Sequence, residues 1–385
     1  MQNIDELKLS KELISFPSIT PVDAGAIKFL SKNLKALGFR CKILEFRDKK
    51  SKPIKNLYAR IGTKQPNICY AGHTDVVPPG NYKDWTTNPF KPIVKNNFLI
   101  GRGANDMKSS IACFISAVSK FLRSKSNFNG SISLLITGDE EGIAINGTKK
   151  VVEYLKKKRE KINFCIVGEP TNPKRLGEMI KIGRRGSLSG TIDIFGTQGH
   201  VAYPHLSNNP INTLVSICGE LKNLNLDKGN KNFQSSNLEF TSINVENKAH
   251  NVIPSKASAQ FNIRYNNIHS SQSLKRKINL HIKRLCKKNK CNYKIQYEGG
   301  SEAFITKPNK AILMAKRIIK KITKINPKFS TTGGTSDARF IKKICPCLEF
   351  GLVNKTMHKV DECVSIADLK KLKRIYHDIL VEYFK

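Results

Sequence analysis

No apolar run in these 385 residues approaches the roughly 20 needed to cross a bilayer. The first residues, Met1 to Leu7, carry acids at the start of an amphipathic helix and no signal-peptide core. Ten cysteines contain no C-x-x-C pair and no spacing that reads as a disulfide framework, and Cys345-Pro346-Cys347 is too tight for a zinc knuckle. Cys69, Cys113, Cys165 and Cys218 fall inside apolar patterns, where a free thiol packs as a small hydrophobe. Repeats and low-complexity tracts are missing as well. These absences argue against a helical membrane span and a disulfide scaffold, and they predict a reduced, cytoplasmic protein.

Acidic residues are scarce, 30 against 67 lysines and arginines, for a formal net charge of +37. Such a charge raises the question of nucleic acid. The basic residues are nevertheless spread along the whole chain, with no aromatic-basic interleaving, zinc finger or helix-turn-helix pattern among them. A lysine-rich surface set by overall composition accounts for them, and no nucleic-acid partner is expected. A basic field still raises the encounter rate of a polyanionic small substrate. The hydrophobic content of 39% is that of an ordinary globular protein, and the length suggests two or three domains.

Up to residue 179 helix patterns (5–15, 23–37, 109–122, 147–157) alternate with short β runs (42–46, 56–61, 68–71, 131–137, 163–167). That order predicts an α/β fold, a mainly parallel mixed sheet covered by helices. The texture then changes. Strand-like stretches at 186–195, 237–245, 257–264 and 292–297 are separated by helix patterns at 210–224 and 270–288, which reads as an inserted α+β module. After residue 299 the α/β texture returns, with a helix near 309–322, a strand near 347–351 and a terminal helix from 366. The expected division is 1–179 and 298–385 for a split catalytic domain, with 180–297 inserted.

Seven metal-grade side chains lie in five short segments, four of which begin as apolar runs ending at or near glycine. His73 and Asp75 follow Cys69-Tyr70-Ala71-Gly72; Asp106 follows Gly101-Arg102-Gly103; Glu140 and Glu141 follow Leu135-Ile136-Thr137-Gly138; Glu169 follows Ile166-Val167-Gly168; His358 lies just beyond Phe350-Gly351. An open α/β sheet delivers ligands in this way, at the C-terminal ends of strands buried on both faces. Two histidines and several carboxylates, with no cysteine, suit a hydrolytic zinc site better than a structural one.

Each segment alone has a plainer reading: a turn for His73-Thr74-Asp75, an N-cap for Asp106, an acidic turn for Glu140-Glu141, a loop histidine for His358. Together they are more specific. His73 and Asp75 point the same way from a strand end, so one can bind metal while the other orients it. Adjacent Glu140 and Glu141 project differently, so one can be a ligand while the other serves as a general base. Glu169, at the end of an apolar strand, is costly unless it is solvated or bound to a cation.

Taken in order, these segments resemble the dizinc amidohydrolase and peptidase family of aminoacylases, acetylornithine deacetylase and glutamate carboxypeptidases, over essentially the full length. The stretches that carry the resemblance are GRGANDMK from Gly101, GRRGSL from Gly183, GHVAYPH from Gly199, GGTSDARF from Gly333 and the segment from Glu349 through His358 to Glu362. The resemblance implies two Zn2+ per subunit, with Co2+ or Mn2+ acceptable in their place. One ion would be held by His73 and Glu169, the other by Glu141 and His358, with Asp106 bridging, Asp75 behind His73 and Glu140 as general base. It further implies hydrolysis of an amide by metal-bound hydroxide, with a glutamate as general base, on an N-succinylated diamino diacid or, alternatively, on another N-acyl amino acid such as N-acetylornithine.

The inserted module would act as lid and dimerisation domain of a homodimer, with His200 reaching the partner's active site. Arg184, Ser187, Tyr203, Asn251, Arg264, Thr335, Arg339 and Asn354 match positions expected to hold the substrate's carboxylates and amide, and arginine grips carboxylates bidentately. Ser109 stands where the family commonly has glycine, and His250 where a second asparagine is frequent. The first departure touches a helix start near Asp106 and the second the substrate contacts; neither removes a ligand.

Overall fold

Three apolar strands, Asn67–His73, Ser131–Thr137 and Phe164–Val167, are buried along their whole length, the condition of parallel strands covered on both faces. They lie at the centre of an eight-stranded sheet ordered Arg40–Phe46, Ile54–Ile61, Ser131–Thr137, Asn67–His73, Phe164–Val167, Cys347–Glu349, Met179–Lys181 and Lys328–Ser330. The four central strands are mutually parallel. Antiparallel pairings enter at Arg40–Phe46 and Ile54–Ile61 and between Cys347–Glu349 and Met179–Lys181. The mainly parallel mixed sheet read from the alternating pattern is therefore present. The computed structural model describes residues 3–48, 51–125 and 127–385. Its chain divides into two units: Met1–Ile182 with Thr306–Ser330 and Ser336–Lys385, and Gly183–Ile305 with Thr331–Thr335.

In the first unit the helix Lys108–Ser124 is buried on nearly every side, Ser109, Ser110, Ser116 and Ser119 included, so that small hydroxyls as well as Ile111, Phe114, Ile115 and Val118 pack in the core. Tyr70 stacks on its Phe114 with ring centroids 4.4 Å apart, and Tyr376 of the terminal helix Ile366–Tyr383 meets both rings edge-on. Each fully buried side chain of this size contributes about 1.5–3 kcal/mol over leaving it in water. The parallel strands end together, so the loops after His73, Thr137 and Val167 share one edge of the sheet.

A small second sheet brings in chain from far away. Phe98–Ile100 pairs with both Ile93–Lys95 and Cys363–Ser365. The last pairing is antiparallel, so the residues just after Ile100 run beside those just before Cys363, and the Gly101 amide donates to the Glu362 carbonyl at 2.9 Å.

In the second unit the strands Asn237–Asn244, Lys256–Tyr265, Gly186–Phe195 and Asn292–Ser301 form an antiparallel sheet in that order. Burial alternates along Gly186–Phe195 and Lys256–Tyr265, the signature of a sheet with one covered face. Leu188, Ile192, Phe261 and Ile263 pack there against Leu214 and Ile217 of the helix Pro210–Lys222 and Ile278 and Ile282 of Ser271–Lys288. Ser270 and Ser273 close a reciprocal capping box that starts the longer helix. Among the described residues no helix is long and apolar enough to cross a membrane.

Candidate metal centre

His73 closes its strand, is 1% exposed, and points Nε2 at Asp106 Oδ1, 3.2 Å away, and at Glu169 Oε1, 3.8 Å away. Asp106 turns its other oxygen to His358, with Oδ2 3.2 Å from Nε2. The same His358 nitrogen lies 2.9 Å from Glu141 Oε1. Asp106 thus divides its carboxylate between two histidines, with Glu169 on one flank and Glu141 on the other. Ligand atoms of His73, Asp106 and Glu141 all lie within 4.8 Å of one another, as do those of His73, Glu140 and Glu169. The adjacent glutamates therefore share His73 as a neighbour and differ in the rest, Glu140 lying with Glu169, Glu141 with Asp106 and His358.

The backbone explains how these side chains arrive. Glu169 follows Gly168, where a Cβ would run into the Tyr70 hydroxyl, so glycine is what lets the strand end pass over the ring. His358 sits at φ 63°, in the left-handed region. Asp106 leads into Lys108–Ser124 from a loop whose Gly103 has φ 85° and whose Gly103 carbonyl accepts from the Lys108 amide at 3.0 Å.

Supporting groups are as specific as the ligands. His73 Nδ1 lies 2.8 Å from the backbone oxygen of Asp75 and 3.6 Å from its carboxylate. That carboxylate accepts instead from the amides of Glu140 (3.0 Å) and Glu141 (2.9 Å). Asp75 therefore fixes the glutamate pair as well as the imidazole. Asp139 accepts from the amides of Ala144, Ile145 and Asn146 at 3.0–3.2 Å and shapes the loop that follows. Neither Asp139 nor the buried pair Arg102 and Glu362 stood out in the sequence, although all three lie within stretches already noted for their neighbours.

The electrostatics are those of a cation site. Burial disfavours charge on His73, yet its hydrogen bond to Asp106 and the nearby charges of Glu169, Asp106 and Asp75 outweigh it, so its pKa stands well above the ordinary value. Hydrogen bonds to Asp106 and Glu141 push His358 up to about 10. Burial works against ionisation of Asp106, but both histidines hold it below the usual carboxylate range. Glu140 is pushed well above that range, first by burial and then by Glu169. The carboxylates create a negative potential that protons on the imidazoles partly answer. Divalent cations would answer it more fully, and imidazole and carboxylate donors without thiolate suit zinc, cobalt or manganese. The residues fit the implied ions.

The remaining candidates divide between the two units. In the second, Arg184 is buried and its Nη1 donates to the carbonyl of Gly334 at 3.1 Å, placing it beside the segment that holds Thr335. Ser187 and Arg264 are register partners on neighbouring strands, and Asn262 donates to the Ser187 hydroxyl at 3.1 Å. His200 is exposed and its Nδ1 accepts from the Ala202 amide, while Tyr203 is 57% exposed with its ring 5.8 Å from that of His200. Asn251 is exposed as well, its carbonyl accepting from the Val201 amide at 3.1 Å. In the first unit, Arg339 lies over the Phe340 ring and the Asn354 amide donates to the Asn172 carbonyl at 2.9 Å.

Residues 69–382 match the pattern of peptidase family M20/M25/M40. A protein of Pelagibacter ubique (strain HTCC1062) named succinyl-diaminopimelate desuccinylase is 64% identical over 384 residues, covering 100% of both chains. One of the same name from Wolbachia pipientis subsp. Culex pipiens is 50% identical over 381 residues, covering 99% of this chain and 94% of its own. Among solved structures, aminopeptidase PepT from Bacillus cereus superposes with a TM-score of 0.80 at 18% identity over 100% of both chains, a likeness of fold.

Proposed function

The chain belongs to peptidase family M20/M25/M40, and from that premise we propose that it hydrolyses N-succinyl-LL-2,6-diaminopimelate to succinate and LL-2,6-diaminopimelate, a step of diaminopimelate and lysine biosynthesis. The observation that carries the chemistry is the division of Asp106 between His73 and His358, each histidine with its own flanking carboxylate. The name shared by relatives that match over nearly the whole chain supports the substrate.

In this reading His73 and Glu169 would hold one zinc ion and Glu141 and His358 the other, with the Asp106 carboxylate shared between the two sides. Such ions, when bound, supply Lewis acidity that makes water a nucleophile near neutral pH. Glu140 takes the proton of the attacking water and returns it to the departing amine, a role its place beside His73 and Glu169 allows. Asp75 holds both His73 and the Glu140–Glu141 backbone in place. The second unit serves as lid and dimerisation module, and by resemblance its His200 donates to the oxyanion in the active site of a second subunit. Arg184, Ser187, Tyr203, Asn251, Arg264, Thr335, Arg339 and Asn354 take the substrate's carboxylates and amide. Ten free cysteines suit a reducing cytoplasm.

The deciding assay is zinc-reconstituted hydrolysis of N-succinyl-LL-diaminopimelate beside N-acetylornithine, with an EDTA control. Metal-dependent cleavage selective for the succinyl compound is expected. Preference for the acetyl compound would move the enzyme to a sibling deacylase, and cleavage of neither would remove the proposal.

A further inference from the structure

Glu362 is fully buried and belongs to no ligand set, yet it makes four hydrogen bonds to the loop that carries Asp106. Its Oε1 accepts from the amides of Asn105 (2.7 Å) and Asp106 (2.9 Å); its Oε2 accepts from the Gly103 amide (3.1 Å) and from Arg102 Nη1 (2.8 Å). Successive amides folded around an anion form a nest, and here the anion is the protein's own carboxylate. A buried carboxylate alone costs several kcal/mol, so its presence calls for a reason beyond filling space. Arg102 neutralises it and also donates to the Lys359 carbonyl at 3.2 Å, one residue from His358. Both chain segments that Glu362 joins therefore carry a metal-centre side chain: one bears Asp106, the other His358 four positions earlier.

We propose that Glu362 is a positioning residue for the metal centre, clamping the Asp106 loop to the His358 segment so that both side chains reach the same ion. The proposal rests on the reading that the cluster holds metal. It follows from connectivity. The Asp106 amide held by Glu362 is one bond from the Cα that bears the dividing carboxylate, and the short strand Cys363–Ser365 fixes Glu362 from the other side. Replacing one carboxylate oxygen by an amide NH2 puts a donor against either the Asn105 and Asp106 amides or the Gly103 amide and Arg102. One half of the clamp must open.

The test is stepwise Zn2+ binding to chelator-stripped protein, measured by competition with a chromophoric chelator, with circular dichroism confirming that each variant is folded at the working temperature. Wild type is expected to bind two ions. Glu362→Gln is expected to raise the Kd of at least the weaker step by about 10–100-fold, the usual effect of removing a group that orients a metal ligand. A folded Glu362→Gln with both steps unchanged overturns the proposal. Should that variant fail to fold, Glu362→Asp carries the test: it keeps the charge but is too short to reach the amides and Arg102 together, the same loss of affinity is expected, and unchanged binding overturns the proposal. Wild type that binds no zinc would sink the metal reading itself, an outcome distinct from failure of the clamp.

Discussion

In the first unit His73, Asp75, Asp106 and Glu169 are buried and tied to one another or to loop amides. In the second, His200, Tyr203 and Asn251 stand exposed, and the His200 nitrogen accepts from an amide two residues away in its own turn. The contrast separates two ways of building function. The cluster of the first unit is set when the chain folds, because Asp75 accepts from two loop amides and Asp106 lies between two histidines, so neither relaxes alone. The exposed side chains of the second are held only by their own turn, His200 by the Ala202 amide and the Tyr203 ring beside it. Substitutions in the two units should then fail differently.

The largest effect is expected at Glu140. Glu140→Gln should keep both metal ions and lose up to about 10⁴-fold in kcat, the upper range for a general acid–base group; zinc stoichiometry and turnover measured on one sample check it, and an active variant would remove Glu140 as the base. His200→Ala should cost about 10²–10³ in kcat, as for one oxyanion donor, with thermal stability and zinc binding as in wild type. Loss of zinc binding there would erase the contrast between the units. Asp75→Asn should lower zinc affinity or activity by about 10–100-fold, visible in a zinc titration, because an amide oxygen kept on the Glu140 and Glu141 amides turns the NH2 towards the Glu140 amide and His73 Nδ1, where a carboxylate oxygen now lies.

The smallest effect lies on the surface of the second unit. Hydrogen bonds from Arg284, then His281, hold the Glu220 carboxyl below its ordinary pKa. A depressed carboxylate contributes stability above its unfolded pKa of about 4.3 and loses it as pH falls through the folded value. Glu220→Gln should accordingly cost at most about 1 kcal/mol at pH 7, and urea melts of the two proteins should converge as the pH drops below that of free glutamate. A deficit that persists in acid would assign the effect to packing.

Much of this was legible beforehand because the central strands are apolar runs closed by glycine, and the side chains after Gly72, Gly138 and Gly168 could be placed on one sheet edge from that pattern alone. His358 stands among the candidates, but alone it reads as a loop histidine, and only the resemblance pairs it with Glu141. What brings it to Asp106 is a pairing of the three-residue strands Phe98–Ile100 and Cys363–Ser365, too short to show any periodicity. The Arg102–Glu362 ion pair spans 260 positions and leaves no spacing signature. Reading the basic residues as a solvated surface also fails locally. Arg102 is 2% exposed, and Lys108 is fully buried, its amine donating to the Phe16 carbonyl at 2.7 Å and its pKa lowered by burial to about 7. Composition describes the average lysine and arginine; these two are structural.

The central claim is a two-ion centre bridged by Asp106, and anomalous diffraction at the zinc edge from zinc-loaded crystals tests it most directly. Two peaks are expected, one between His73 and Glu169, the other between Glu141 and His358, with one Asp106 oxygen on each. A single peak, or two peaks that leave Asp106 bound to one ion alone, would contradict the account.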